Sequence, residues 1–326
     1  MQPMEISALA LEPQAVPRVW GGPRLARFTA QERPDPIGEL WLAYDENLVS
    51  SPPFTGRRLN EVLLELGPAF LGPVPYGRYG SELPLLIKFL DTAEWLSVQV
   101  HPDDAYAHTT EAASGFHGKT EAWYVLEGTS ELVYGLKHPM TREELRQGLL
   151  DGSAWEKLHR VDVGPGEVIF VPAGTIHALG PGLLIYEVQQ RSDLTYRLYD
   201  YGRGRELHLE KGLAVSRLEP TPVPRLQPYA EGPKEILLAS RAFVLERHRL
   251  QGSATLQAPW ESFLLLTPVR GQASWEGRAL RWGETLLIGA GKQVRLGGDA
   301  EVLGAFIPSP ERLEGYPSAV QCGSSS

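Results

Sequence analysis

"GEVIFVPAGTIHAL", residues 166–179, opens on Gly-Glu, passes through an apolar run, turns at Pro172-Ala173-Gly174 and reaches His177. Val168, Ile169, Phe170 and Val171 suit a pleated sheet, and Pro172 ends the ladder because it has no N–H to donate. A second stretch follows the same course. "GETLLIGAGKQVRL", residues 283–296, starts Gly-Glu and reaches an Ala-Gly turn at the same offset. Where the first has His177, the second has Val294. The chain therefore reads as two copies of one β-rich unit, and only the first keeps polar groups suited to a site.

Outward from these stretches, short apolar runs recur between turns: "LPLLIKFL" (83–90), "EAWYVLEG" (121–128) and "GLLIYEVQQ" (182–190). With 34 Gly and 27 Pro as punctuation, the pattern predicts a mainly β chain built as two barrel or jelly-roll units. Short helices are expected within the N-terminal half. Leu59, Val62, Leu63 and Leu66 have helical spacing, and Gly67 and Pro68 end that run. Thr141 with Glu144 forms a capping box for a helix over 141–152. Residues 102–114 supply a further short helix. The segment 217–235 holds five prolines and no periodicity, so it reads as a linker. The expected division is a site-bearing unit over 1–216, the linker, a degenerate β unit over 236–312 without ligands, and a tail over 313–326 ending in a frayed "CGSSS".

Composition narrows the function classes. The 326 residues are 42% hydrophobic and 22% charged, with a formal charge of -9 from 31 basic and 40 acidic side chains. That balance argues against a nucleic-acid partner, but not against a small anion held by a local Arg and Lys cluster. A single cysteine, Cys322, rules out an intrachain disulfide and a cysteine zinc cluster. The opening "MQPMEISALALEP" lacks the basic and apolar regions of a signal peptide. No apolar run is long enough to span a membrane. A cytoplasmic protein without a membrane partner is expected.

Within the first unit, "WLSVQVHPDD" (95–104) ends a strand with Gln99 and His101 two apart, hence on one face. Glu121 begins another strand and His177 follows the turn already described. Gly166, Pro172, Gly174 and His177 match the second motif of a cupin barrel without a gap. The first motif appears as Gln99, His101, Glu121 and Gly128, with an inserted helix at 102–118 lengthening it. A Gln oxygen, two imidazoles and one carboxylate suit a borderline divalent cation, zinc before others, one per chain.

These stretches, with "IGELW", "GKTEAWYVLEG" and "LLIYEVQQRSDLTYRLYDYGR", resemble the type I mannose-6-phosphate isomerases in their short bacterial form. The resemblance is close over residues 15–215. It implies a zinc-dependent aldose–ketose isomerase, interconverting D-mannose 6-phosphate and D-fructose 6-phosphate through a metal-stabilised enediol. It puts the zinc ligands on Gln99, His101, Glu121 and His177, the catalytic Arg on Arg197 and a motif Glu on Glu187. Glu39 and Ser97 match positions lining the pocket. Longer members carry a large helical domain, so different residues cap the pocket here.

Proton transfer between C1 and C2 needs a polarised carbonyl, a base and stabilisation of the enediol. Lys119, two before Glu121, is placed on the Glu121 face by strand alternation, where a cation would lower its pKa; a solvated strand-edge lysine is the plain alternative. Glu187 lies between apolar residues, and burial would raise its pKa toward that of a base. Lys88 interrupts an apolar run and needs an anionic partner, either substrate phosphate or an internal carboxylate. Ser97 alternates onto the Gln99 face. Arg18 in "RVWGG" is a weaker candidate for substrate binding. Asp200 and the tyrosines around it are expected to orient Arg197. Two other readings keep the metal or the barrel: an iron-dependent cupin dioxygenase, and a non-catalytic sugar-binding cupin.

Overall fold

The computed structural model describes residues 6–28 and 36–322. The strands form three antiparallel sheets. A six-stranded sheet runs Gln14–Gly22, Ile37–Ala43, Leu85–Asp91, Leu184–Gln190, Glu121–Glu127, Val168–Val171. A five-stranded sheet runs Tyr196–Tyr199, Val98–Val100, His177–Leu179, Ser130–Leu136, Leu158–Val163. A nine-stranded sheet holds the strands from Tyr229–Glu231 to Gln293–Phe306 and takes in Ala8–Leu11, which pairs antiparallel with Thr285–Ile288. The mainly β expectation is met, and the ladders close no barrel among the described residues.

The six-stranded sheet is the middle layer. Alternation sends Phe89, Tyr124 and Tyr186 to one face, in a buried cluster with Leu245, Leu265 and Leu303 of the nine-stranded sheet. Leu90, Trp123 and Ile185 face the other way and pack with Leu132, Tyr134 and Leu179 of the five-stranded sheet. Burial on both faces is why Leu85–Asp91 and Leu184–Gln190 read as continuous apolar runs. The same parity that turns Leu90 and Ile185 toward the five-stranded sheet turns Lys88 and Glu187 there too.

The two sequence copies share backbone detail. Gly166 and Gly283 have φ of 90° and 82°, and Gly174 and Gly291 have 85° and 70°. Glu167 Oε2 accepts from the Gly164 N–H, and Glu284 Oε2 from the Arg281 N–H, at equivalent offsets. Val294, in place of His177, is buried among apolar neighbours.

The helices follow the sequence signals. Leu59–Leu66 stops at Gly67. Arg142–Asp151 starts from the Thr141–Glu144 capping box. The insertion after His101 holds Asp104–Thr109 and a 3-10 turn, Ala112–Ser114. Residues 217–228 have neither helix nor strand, and Tyr229–Glu231 lies inside the expected linker. Cys322, expected to be frayed, is buried, and its N–H donates to Ala239 O at 2.8 Å. Tyr316 and Val320 before it anchor the segment in the C-terminal core. Residues 323–326 lie outside the described residues.

Gly128 shows why the first motif ends on glycine. Its φ is 87°, and a Cβ there would stand 2.0 Å from the Gly182 carbonyl oxygen. Gly128→Ala is expected to cost at least about 3 kcal/mol of stability, from positive φ and a backbone clash together. Denaturant unfolding measures this; an unchanged midpoint would refute it.

Candidate metal centre

Two rows of side chains meet between the five- and six-stranded sheets. Arg197 pairs with Gln99, and Gln99 with His177, so three segments distant in sequence stand in line across adjacent strands. Opposite, Lys88 pairs with Glu187, and Glu187 with Trp123. Glu121 is two residues from Trp123 on the same strand, hence on the same face. His101 follows the strand Val98–Val100 with the parity of Gln99.

His101, Glu121 and His177 are each about 1% exposed, and one ligating atom from each lies within 4.8 Å of the other two. His101 Nδ1 is 3.0 Å from Leu194 O, and His177 Nδ1 is 2.8 Å from Thr175 O. A carbonyl only accepts, so each Nδ1 carries the proton and each Nε2 presents a lone pair. Both lone pairs converge on the Glu121 carboxylate, at 3.6 Å from His101 and 3.2 Å from His177. Ligands around tetrahedral zinc with bonds of about 2.0–2.1 Å stand about 3.3 Å apart. Glu121 Oε2 is buried, and Lys119 Nζ lies 2.8 Å from it as an ion pair. Two imidazole lone pairs and a buried carboxylate, gathered within 4.8 Å, fit a divalent cation. Burial alone would raise the Glu121 pKa, but Lys119 outweighs it and holds the carboxyl well below its usual range.

Gln99 stands beside this trio with its Nε2 3.3 Å from His177 Nε2, while its Oε1 accepts from Ser97 Oγ at 3.2 Å. Exchanging the amide ends would turn the oxygen toward His177 and leave nitrogen to donate to Ser97. Lys119 Nζ is 3.0 Å from His101 Nε2. The strand begins at Glu121, so Lys119 is not placed by strand alternation. The preceding connection places it, with its N–H donating to Pro102 O at 2.9 Å. Burial opposes the Lys119 charge, yet Glu121 and Glu187 raise its pKa. The lowering expected beside a cation requires the cation's own charge. The Glu187 carboxyl is pushed up to about 7, chiefly by burial, with Lys88 opposing and Glu121 adding to the rise.

Further out, Glu39 accepts from Arg18 at 2.8 and 3.2 Å and from Trp41 Nε1 at 2.6 Å, and it lies 3.7 Å from Lys88 Nζ. Of the two partners expected for Lys88, an internal carboxylate is therefore present. Burial pushes Glu39 up, but Lys88, Arg18 and Trp41 bring it from 4.5 down to about 2. A carboxyl depressed in the folded state stabilises above its unfolded pKa and loses that contribution as pH falls through the folded value. Between pH 4.5 and 2, wild type should lose on the order of 3 kcal/mol that Glu39→Gln does not lose. Parallel acid-unfolding curves for the two proteins would count against this.

A cavity of about 480 Å³ joins these groups. Arg18, Glu39, Lys88, Ser97, Gln99, Lys119, Glu121, Glu187 and Arg197 all line it. His101 and His177 lie behind its wall, tied to Glu121. Asp193, Thr195, Arg205, His208 and Trp123 line it as well, and the sequence reading missed them. Trp123 Nε1 is a buried donor without a protein partner. Asp200, expected to orient Arg197, instead accepts from Arg205 Nε at 2.7 Å. Arg197 donates to Glu206 O at 3.4 Å, because the turn after Tyr199 carries Asp200 toward the later arginines.

The chain as a whole is similar to known proteins. A family model described as "Phosphomannose isomerase type I, catalytic domain" matches residues 9–136. The chain is 37% identical over 286 residues to mannose-6-phosphate isomerase ManA of Bacillus subtilis (strain 168), covering 82% of this chain and 87% of that protein. The crystal structure of mannose 6-phosphate isomerase from Bacillus subtilis matches with a TM-score of 0.80 and 30% identity, over 92% of this chain and 99% of that one. A solved mannose 6-phosphate isomerase described as holo and zinc bound shares the fold, with a TM-score of 0.75 and 20% identity over 93% of this chain and 100% of that one.

Proposed function

The chain belongs to the type I phosphomannose isomerase family, and on that premise we propose that it interconverts D-mannose 6-phosphate and D-fructose 6-phosphate by proton transfer between C1 and C2. The observation that carries this reading is the convergence of two imidazole lone pairs on the buried Glu121 carboxylate, beside Lys119 and Glu187. His101, Glu121, His177 and Gln99, after its amide turns, are proposed to hold one zinc ion. When bound, the cation supplies positive charge to polarise the sugar oxygens at C1 and C2.

The remaining roles fall to the protein. Glu187, with its pKa near neutrality, takes the proton from one carbon and returns it to the other. Lys119 donates a hydrogen bond to the oxygen that gains charge between the two steps. Trp123 Nε1 and Ser97 Oγ supply neutral donors to hydroxyls. Arg197, with Arg205 and His208 across the same cavity, takes the phosphate end, where planar guanidinium groups match its oxygens. Lys88 and Arg18 keep Glu39 ionised and fix the opposite wall. No helix among the described residues is long and apolar enough to cross a membrane, and a cytoplasmic setting is part of the proposal.

The test is a coupled assay of purified protein with fructose 6-phosphate, before and after chelation and after zinc is restored. Activity lost on chelation and recovered with zinc supports the proposal. No turnover by zinc-loaded protein overturns it.

A further inference from the structure

The insertion that links His101 to Lys119 carries a second group of ligating atoms. Asp104, His108 and His117 each offer one within 4.8 Å of the other two. None of the three lines the isomerase cavity. His108 Nε2 stands 2.9 Å from His117 Nδ1, with the ring planes at 86°. A shared proton joins two such nitrogens; a cation in its place engages both lone pairs. Asp104 is already positioned, because its Oδ1 accepts from the Gly118 N–H at 2.8 Å and from Gln190 Nε2 at 3.1 Å. Oδ2 has only a longer contact, 3.4 Å from the same Gln190 Nε2, and one carboxylate oxygen lies within 4.8 Å of both imidazoles.

Behind His117 the arrangement continues. His117 Nε2 is buried without a hydrogen-bond partner, and Glu82 Oε2 lies 3.7 Å away. Arg191 Nη1 holds that same oxygen at 3.1 Å. Metal-bound imidazoles commonly donate their other N–H to a carboxylate, which fixes the tautomer and raises ligand basicity. Tyr79 packs edge-on against the His117 ring at 4.8 Å and limits its rotation.

We propose that Asp104, His108 and His117 form a second divalent-cation site of the zinc class, with Glu82 as its positioning residue. Two imidazoles and a carboxylate leave a fourth position for water. The cation cross-links the helix Asp104–Thr109 to the segment that leads into Lys119. The site shares no residue with the first centre, so it stands or falls independently of the isomerase reading.

Metal-free full-length protein is titrated with zinc against a chromophoric chelator, and bound metal is then measured by elemental analysis. Wild type is expected to take two equivalents, and His108→Ala and His117→Ala one each with turnover retained. His101→Ala is expected to keep the second equivalent. Glu82→Gln should weaken the second site about tenfold or more. A His101→Ala variant that binds no zinc, or a His108→Ala or His117→Ala variant that binds as many equivalents as wild type, overturns the proposal.

Discussion

Replacing His101 by Ala is expected to abolish tight zinc binding and turnover together while the fold persists. His101 Nε2 is one of two imidazole lone pairs aimed at Glu121, and burial, with Lys119 beside it, depresses the proton affinity of the ring well below the usual value. The ring is therefore a neutral donor ready for a cation. Without it, Glu121 and His177 retain too few fixed ligands for a stable site. A drop in kcat/KM of at least about a thousandfold is expected, the scale of losing charge stabilisation in a water-excluded site. The structural cost is smaller, because the Leu194 carbonyl loses one donor, worth about 1–3 kcal/mol. Elemental analysis and circular dichroism separate the two effects. A folded variant that keeps its metal and most of its activity would remove the basis for the proposed centre.

Replacing Glu187 by Gln separates the proton-moving role from metal binding. The substitution keeps shape and burial but removes the only oxygen that can hold a proton there. kcat should fall by about 10²–10⁴, the usual contribution of a positioned base, with KM and zinc content nearly unchanged. Exchange of the sugar's C2 hydrogen with deuterated solvent should fall in parallel. A kcat within tenfold of wild type would transfer the role to another group, with Lys119 next in line.

The gathering of His101, Glu121 and His177 into one candidate site was legible in sequence, because motif glycines and prolines announce the turns before them. Strand parity aligned Gln99 with His101, and apolar neighbours marked Glu187 as buried. The Gly-Glu repeat was legible too, down to the paired turns at Gly166 and Gly283. What sequence did not reveal was register. Arg197, Gln99 and His177 line up only because distant strands pair at those positions, and no local pattern encodes such a match. Asp193 and Thr195 precede the strand Tyr196–Tyr199, so alternation did not mark them either. Arg205 and His208 had no signal, because a turn breaks the alternation before them. Cys322 was misread for a similar reason: a polar-looking end concealed Tyr316 and Val320, whose docking depends on a core assembled elsewhere.

The strand Ala8–Leu11 has a consequence for assembly. It is synthesised long before its hydrogen-bonding partner, Thr285–Ile288. The nine-stranded layer is therefore finished by a closure between residues 11 and 285, a long-range topology that slows folding. A fragment starting at residue 217 would lack that strand. Its Thr285–Ile288 edge would expose unpaired backbone beside Leu286 and Leu287, inviting self-association of the excised piece.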